Sequence, residues 1–326
     1  MTRKMRPEVR TDLAMESPAL GQGRDGRGPA GVLVSESEQD GVRLTRVAVT
    51  TEEGSRALGK PRGRYVTLEA AGMSGPDVSL HERVARQTAR VLAELRPPAW
   101  EGPALVVGLG NWNITPDALG PKTVARVLVT RHLEGTLPRE LTGALRPVAA
   151  LSPGVMGITG METAEIVKGL VERIRPGLVI CVDALAARAA HRIYAAIQLS
   201  DTGIFPGSGM GNRRQELSQK TLGVPVVAVG VPTVVDAATL VNDTLERLRE
   251  AVAAQKGGGL SEPMPGLDEA EKYRLVAELL EPYGANLFVT PREVDAAVDR
   301  LAGILANALN WSLQPGLGPE DWNRFA

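Results

Sequence analysis

Cysteine, histidine and aromatic side chains are scarce in this chain, and each scarcity removes a class of chemistry. One cysteine, Cys181, in 326 residues leaves no internal disulfide and no CxxC pair, which fits a reducing compartment. The three histidines, His81, His132 and His191, do not fall at the i, i+4 spacing of a helical zinc site, so a histidine-rich metal centre is not expected. A carboxylate-bound hard cation stays open. Long apolar runs are missing too. The stretch "MTRKMRPEVRTDLAMES" is charged and lacks the apolar centre of a signal peptide, and nothing approaches an uninterrupted membrane span. A net charge of −1 gives no bias toward polyanions. These absences predict a soluble cytoplasmic protein with no membrane partner and no direct nucleic-acid partner.

What is present has the pattern of an α/β domain. Residues 1–31 are rich in Gly, Arg, Pro and Glu without periodicity, which predicts a flexible leader. Val42 to Thr50 and Arg64 to Glu69 are β-branched and partly alternating, suggesting an antiparallel pair joined by a Gly-rich turn near Gly54–Gly63. Leu80, Val84, Thr88, Val91, Leu92 and Leu95 then repeat at helical spacing until Pro97 and Pro98 stop the helix. Three continuous apolar runs, "ALVVG" at 104, "LVICV" at 178 and "VPVVAVG" at 224, look like strands buried on both faces. Between and after them lie helical stripes: Ile166 to Ile174, Val241 to Val252, and Val294 to Leu309. The alternation predicts a doubly wound, mostly parallel sheet flanked by helices, preceded by a small antiparallel β element. "QKGGGLSEPMPG", Gln255 to Gly266, is expected to be a surface linker.

In a parallel sheet, ligands gather beyond the carboxyl ends of the strands. Acidic residues follow these runs repeatedly: Asp117 with Asn111 and Thr115 after the first, Glu162 after "PVAAL", Asp183 directly after "LVICV", Asp201 after "AIQLS" and Asp236 after "VVAVG". The stretch "VVGLGNWNITPDALGPK" resembles a nucleotide-binding turn only at first sight. Asn113 stands where a dinucleotide fingerprint needs its third glycine, and no Lys-Ser/Thr pair makes a P-loop. Thr115-Pro116-Asp117 instead fits the N-cap, N1 and N2 positions of a helix. Asp117 is then either an acid complementing the helix dipole or a functional carboxylate. Asp183, at the end of a buried strand, must be paired, capping or catalytic. Asp201-Thr202-Gly203 has a pepsin-like form, but it occurs once and in an α/β context, so a turn is the favoured reading. His132 is read as a packed or surface histidine. Arg213 and Arg214 either lie on a solvated face or receive an acidic substrate side chain.

Nine motifs together resemble the germination protease family of spore-forming bacteria: "VRTDLAMES", "GRYVTLEA", "VVGLGNWNITPDALGPK", "LVTRHL", "ALSPGVMGITGMETAEI", "DALAARAAHRI", "IQLSDTGIFPGSGMGNRR", "GVPVVAVGVPTVVDA" and "NLFVTPREVD". The likeness runs in order from about Val9 to Asn310. It implies an endopeptidase without a cofactor that cuts the small acid-soluble proteins coating spore DNA, in the spore core, as germination begins. It also implies a homotetramer, made as a zymogen that loses a short N-terminal segment. Carried over, the family's two catalytic aspartates fall on Asp117 and Asp183, with Asn111, Glu162 and Asp201 in support. The family's preference for an acid, then a hydrophobe, then Ala is matched by "TDLA", which puts the self-processing bond at Asp12–Leu13. His191 and Tyr194 depart from the residues the family leads one to expect.

The resemblance divides the chain into a propeptide at 1–12, a flexible leader at 13–31, one α/β peptidase domain at 32–312 and a tail at 313–326; the domain includes the β element at 42–69 and the linker at 255–266. An acidic substrate side chain should meet a cation, for which Arg131, Arg188, Arg213 and Lys122 are candidates. Two-carboxylate hydrolysis needs one group ionised and one protonated. Asp117 is assigned as base and Asp183 as acid, although helix N-termini would lower both pKa values. The "GLGN" turn is also similar to that of hydrogenase-maturation peptidases, which share an α/β fold and use a metal. That leaves two other readings: a metal-dependent peptidase with Asp117, Glu162 and Asp183 as ligands, and a non-enzymatic ligand-binding module built on "GLGN".

Overall fold

The computed structural model describes residues 11–22, 28–134, 145–206, 214–256, 269–280, 282, 287–314 and 316. Its strands are β1 (Val32–Gln39), β2 (Val42–Val49), β3 (Gly63–Glu69), β4 (Ala104–Gly108), β5 (Val148–Leu151), β6 (Leu178–Ala187), β7 (Ala196–Ser200), β8 (Val226–Asp236) and β9 (Phe288–Val289). Its helices are α1 (Glu52–Leu58), α2 (Val78–Leu95), α3 (Leu119–Val124), α4 (Met156–Thr159), α5 (Thr163–Ile174), α6 (Gln219–Leu222), α7 (Ala237–Lys256), α8 (Glu269–Leu280) and α9 (Val294–Leu313).

The three apolar runs form β4, β6 and β8, as their lack of polar alternation predicted. They lie in parallel, with β5 outside β4, in the order β5-β4-β6-β8. Both faces of this set are covered, and side chains alternate between the two. Val106, Ile180 and Val182 point into one core with α2 and α9. Leu105, Val107, Val179 and Cys181 point into the other with Val167 and Val171 of α5. Cys181 is fully buried and its burial raises the thiol pKa, so it is a packing residue rather than a nucleophile.

The antiparallel element is not a separate appendage. β7 pairs antiparallel with β8, β3 with β7, β2 with β3 and β1 with β2, so one nine-stranded sheet runs through the molecule. The segment expected to be a Gly-rich turn holds α1, capped by the Thr51 hydroxyl accepting from the Gly54 N–H at 3.1 Å and ended by Gly59 at φ 67°. β1 gave no periodic signal because only Val32 of its eight residues is buried.

The predicted leader needs correction. Residues 14–16 and 18–22 form short 3-10 turns, and Leu13 and Ala14 are fully buried against the sheet. Composition suggested flexibility, but over residues 11–22 the apolar side chains of Leu13 and Ala14 have a place in the core and outweigh it, while 1–10 and 23–27 lie outside the described residues. At the other end the folded body continues past 312: Gln314 is fully buried and donates to the Arg146 carbonyl at 2.8 Å. The first two residues of the predicted linker, Gln255 and Lys256, belong to α7, and the remainder lies outside the described residues. Among the described residues, no helix is long and apolar enough to cross a membrane.

Glycines set how closely α3 approaches β4. A Cβ on Gly120 would stand 2.2 Å from the Leu109 carbonyl oxygen and 2.6 Å from that of Val182. Both neighbours are backbone and cannot step aside. In a free helix Gly→Ala gains about 1 kcal/mol. Here overpacking costs about 1–3 kcal/mol and wins. Gly120→Ala is therefore expected to lower the melting temperature followed by circular dichroism; an unchanged or raised value would refute this account of the α3–β4 approach.

Candidate active site

Asp117 lies on the 3-10 turn Thr115–Asp117 that follows β4. The predicted N-cap geometry is not adopted: Ile114 occupies that position, and the Thr115 hydroxyl donates to Asp295 Oδ1 at 3.0 Å instead. Asp117 turns back to accept the Asn111 N–H on Oδ2 at 2.8 Å. Gly110, at φ 115°, leaves room for this, since a Cβ there would be 2.0 Å from the Asp117 carbonyl. The "GLGN" turn is thus a close-packed frame around a carboxylate rather than a phosphate cradle.

Asp183 lies inside β6, opposite Gly230 of β8, and the strand continues to Ala187. It is 5% exposed, and Asp183 Oδ1 accepts the Ala184 N–H at 2.9 Å. Asp117 and Asp183 line one cavity of about 270 Å³, together with Asp12, Lys60, Tyr65 and Gln198. Burial holds Asp183 well above the usual carboxylate range, and the negative charges of Asp117 and Asp12 push the same way. Burial also raises Asp117, opposed by the Asn111 N–H and the charge of Arg214. The expected lowering of both by helix N-termini does not occur, because neither carboxylate sits at the start of a regular helix. Asp183 is the group held more firmly in its protonated form.

The N-terminal segment borders this cavity through Asp12. The Asp12 N–H donates to the Ala186 carbonyl at 2.9 Å, and the Ala186 N–H donates back to Asp12 Oδ2 at 2.9 Å. The Asp12 carbonyl accepts from Lys60 Nζ at 2.9 Å and from Gln198 Nε2 at 3.0 Å. Leu13 packs among Leu185, Ala187, Ile204 and Leu217, and Ala14 among Val47, Val49 and Tyr65. Glu16 anchors the far side. Its carboxylate accepts the Arg188 N–H at 2.6 Å, the Ala189 N–H at 3.0 Å and the Arg192 guanidinium at 3.0 Å, and the Thr11 hydroxyl donates to it as well. Lys60 is pulled below its ordinary pKa by burial, against the charges of Asp12 and Glu16.

The other residues singled out in the sequence play different parts. Asn111 serves Asp117 through its backbone, while its side-chain oxygen accepts the Asn113 N–H at 3.0 Å. Glu162 occupies the N-cap of α5, where its N–H donates to Glu165 at 3.2 Å, and it does not line the cavity. The ligand set Asp117, Glu162 and Asp183 is therefore not assembled; among the described residues no three His, Cys, Asp or Glu side chains stand together to hold a metal. Asp201 accepts the Arg64 N–H and guanidinium, both at 2.7 Å, and so staples β3 to the end of β7. Its neighbours Thr202 and Gly203, rather than its carboxylate, face the cavity. Asp236 is buried, accepts the Thr239 N–H at 3.1 Å and the Tyr273 hydroxyl at 2.9 Å, and starts α7.

Three of the four cation candidates lie elsewhere. Arg131 is exposed on a 3-10 turn, Lys122 pairs with Asp299 at 3.6 Å, and Arg188 pairs with Asp243 at 3.8 Å. The fourth, Arg213, lies outside the described residues, although the charge of Arg214 reaches both Asp117 and Asp183. Sequence reasoning missed Lys60, Gln198 and Glu16. Gln198 left a trace, as the single amide in the buried run "AIQLS". Lys60 left none, being one basic residue in a Gly- and Pro-containing loop.

The chain was compared with known proteins. A family model for germination proteases matches residues 10–255 and 260–326. A germination protease of Caldanaerobacter subterraneus is 46% identical, with 97% of this chain and 98% of that protein covered. Those of Clostridium tetani and Bacillus cytotoxicus are 44% and 43% identical, covering 97% and 94% of this chain and 99% and 93% of theirs. Among solved structures, the nickel–iron hydrogenase maturation protease HycI of Thermococcus kodakarensis matches with TM-score 0.31 and 17% identity, over 67% of this chain and 98% of that one. A likeness that slight bears on neither fold nor chemistry. The family match spans nearly the whole chain, and with it the cavity lined by Asp117 and Asp183: this chain belongs to the germination protease family.

Proposed function

We propose that this protein is an endopeptidase that begins the breakdown of small acid-soluble spore proteins in the germinating spore core. In this reading it cuts between an acidic residue and a hydrophobic one followed by Ala. It is made as a homotetrameric zymogen that severs its own Asp12–Leu13 bond. The observation that carries the reading is the seating of Thr11–Ala14, a segment of that acid–hydrophobe–Ala form, against the sheet, with its Asp12 in the wall of the cavity that Asp117 and Asp183 also line.

The contacts account for the preference. The acid side chain meets a backbone N–H, that of Ala186; the hydrophobe fills an apolar socket; and the next residue is fully enclosed, so Ala fits and larger side chains clash. The outer strand β1 exposes Leu33 and Val34 along an unpaired sheet edge, the kind of surface that subunit contact covers.

Asp117, less strongly raised, is the base, and Asp183, held protonated, is the acid. Asp117 takes a proton as water adds its oxygen to the Asp12 carbonyl carbon, and the C=O electron pair moves to oxygen. When that pair returns, the C–N bond breaks and the Leu13 nitrogen takes the proton of Asp183. The products are a carboxyl group on Asp12 and an amine on Leu13. A proton passing from Asp117 to Asp183 restores the starting state.

Three outcomes test this. Asp117→Asn and Asp183→Asn should each slow self-processing by at least about a hundredfold, the lower bound for lost general acid–base catalysis, read as uncut full-length mass over time. Near-normal cutting by either variant would refute the pair. With both groups present, the processing rate should be bell-shaped in pH, falling below the Asp117 pKa and above the Asp183 pKa, both displaced upward from ordinary carboxylates.

The third outcome concerns stability. A carboxyl whose folded pKa is raised holds its proton in the folded state while the unfolded chain has released it, so stability falls as pH rises between the two values. Asp183→Asn never ionises. It should therefore melt higher than the parent at neutral pH, with the gap closing as pH falls toward the unfolded value. A gap that is absent, or that widens in acid, would contradict burial as the source of the shift.

A further inference from the structure

We propose that Lys60 and Gln198 form the oxyanion-holding pair of the reaction, gripping the carbonyl oxygen of the residue whose peptide bond is cut. This rests on the reading that Asp12–Leu13 is that bond. Two donors converge on the Asp12 carbonyl, Lys60 Nζ at 2.9 Å and Gln198 Nε2 at 3.0 Å, within the range over which oxyanion donors act.

Both donors are held in place beforehand. The Lys60 backbone is fixed at both ends, its N–H donating to the Ser55 carbonyl at 3.3 Å and its own carbonyl accepting the Ser55 hydroxyl at 2.8 Å. Gln198 stands in β7, between Thr67 of β3 and Gly230 of β8. Its amide can face only one way, because Oε1 accepts the Ala14 N–H at 2.7 Å while Nε2 serves Asp12. One side chain thereby brackets the scissile bond, holding the carbonyl before it and the amide of the second residue after it.

The cavity offers Lys60 a second possible role, reading the charge of the acidic side chain. The hydrogen bonds favour the first role, while the charge of Asp12 also acts on the ammonium. Lys60 donates to backbone carbonyls, those of Asp12 and, at 3.5 Å, Thr11, while Asp12 Oδ2 is met by the Ala186 N–H. Charge that builds on the carbonyl oxygen as water adds is then balanced by an ammonium in a partly desolvated site. The proton of Asp183 is left for the departing nitrogen.

The test uses the full chain and its first-order self-processing, with Lys60→Met, Asp12→Asn and the double variant. Lys60→Met should slow cutting by about 10²–10³-fold, and by the same factor, within about threefold, whether residue 12 is acidic or an amide. Gln198→Met should also slow cutting by at least about tenfold, which gives an independent reading if Lys60→Met fails to fold. Hydrogen exchange across residues 11–16 should stay as slow as in the parent, showing the segment still seated. Loss confined to the acidic background makes Lys60 a reader of the side-chain charge and overturns the proposal. So does lost protection, which would make it a docking residue, and so does undiminished cutting. A parent chain that never cuts itself at Asp12–Leu13 overturns the proposed function, and this inference with it.

Discussion

The site depends on a carboxyl group placed where charge is least welcome. Asp183 stands in the middle of a parallel sheet whose two faces are both packed with apolar side chains. Transfer of an ionised carboxylate into such surroundings is costly, and the protein answers with one hydrogen bond, from the Ala184 N–H, and no ion pair to that side chain among the described residues. The group therefore keeps its proton. Asp117, nearer the surface and bound to the Asn111 N–H, is the easier of the two to ionise. Depth, the Asn111 hydrogen bond and the neighbouring negative charges together set the two carboxyls apart.

The same sheet holds the N-terminal segment. Ala186 lies in the strand bearing Asp183 and Arg188 and Ala189 follow it, and the backbone N–H groups of these three meet the carboxylates of Asp12 and Glu16. β7 contributes Gln198, and the cavity wall continues through Thr202 and Gly203, whose turn is kept in place by Asp201 holding Arg64. The antiparallel half of the sheet, easily dismissed as an N-terminal add-on, carries Tyr65 and encloses Ala14. The segment and the donors to its carbonyl therefore rest on one structure, since moving β3 or β7 would shift both.

Much of this was legible in the residues. A lone carboxylate after "LVICV" is conspicuous because every neighbour is apolar, and the three valine-rich runs announced the parallel core. What could not be read was decided by contacts between distant positions. Thr115 looked like a cap, but Asp295, 180 positions away, takes its hydroxyl. Thr11 to Ser17 looked mobile by composition; it is fastened by Ala186, Arg188, Ala189 and Arg192, which no local pattern connects to it. Glu162 and Arg131 had the right charge after the right strands, yet the first caps its own helix and the second faces solvent. Charge and order along the chain identify candidates. Only closure of the sheet sorts them.

A cut at Asp12–Leu13 would also change what holds the segment. Before it, the Leu13 nitrogen is a neutral amide donating to Thr11 Oγ1 at 3.1 Å, with its side chain sealed among Leu185, Ile204 and Leu217. Afterwards that nitrogen is an ammonium at the mouth of an apolar socket, and Asp12 bears a second carboxylate beside Asp117 and Asp183. Both new charges are poorly placed, the first for want of solvent and the second through like-charge repulsion. The N-terminal fragment keeps its bonds to Ala186, Lys60 and Gln198 and that of the Thr11 hydroxyl to Glu16, whereas the other side keeps the Glu16 anchor to Arg188, Ala189 and Arg192. Until Leu13 and Ala14 withdraw, however, the sockets for the hydrophobe and for Ala stay filled by the protein's own residues. Cutting alone therefore does not open the site to a second chain; it removes the amide bond that kept the occupant neutral, and the strain of the new ammonium favours its departure.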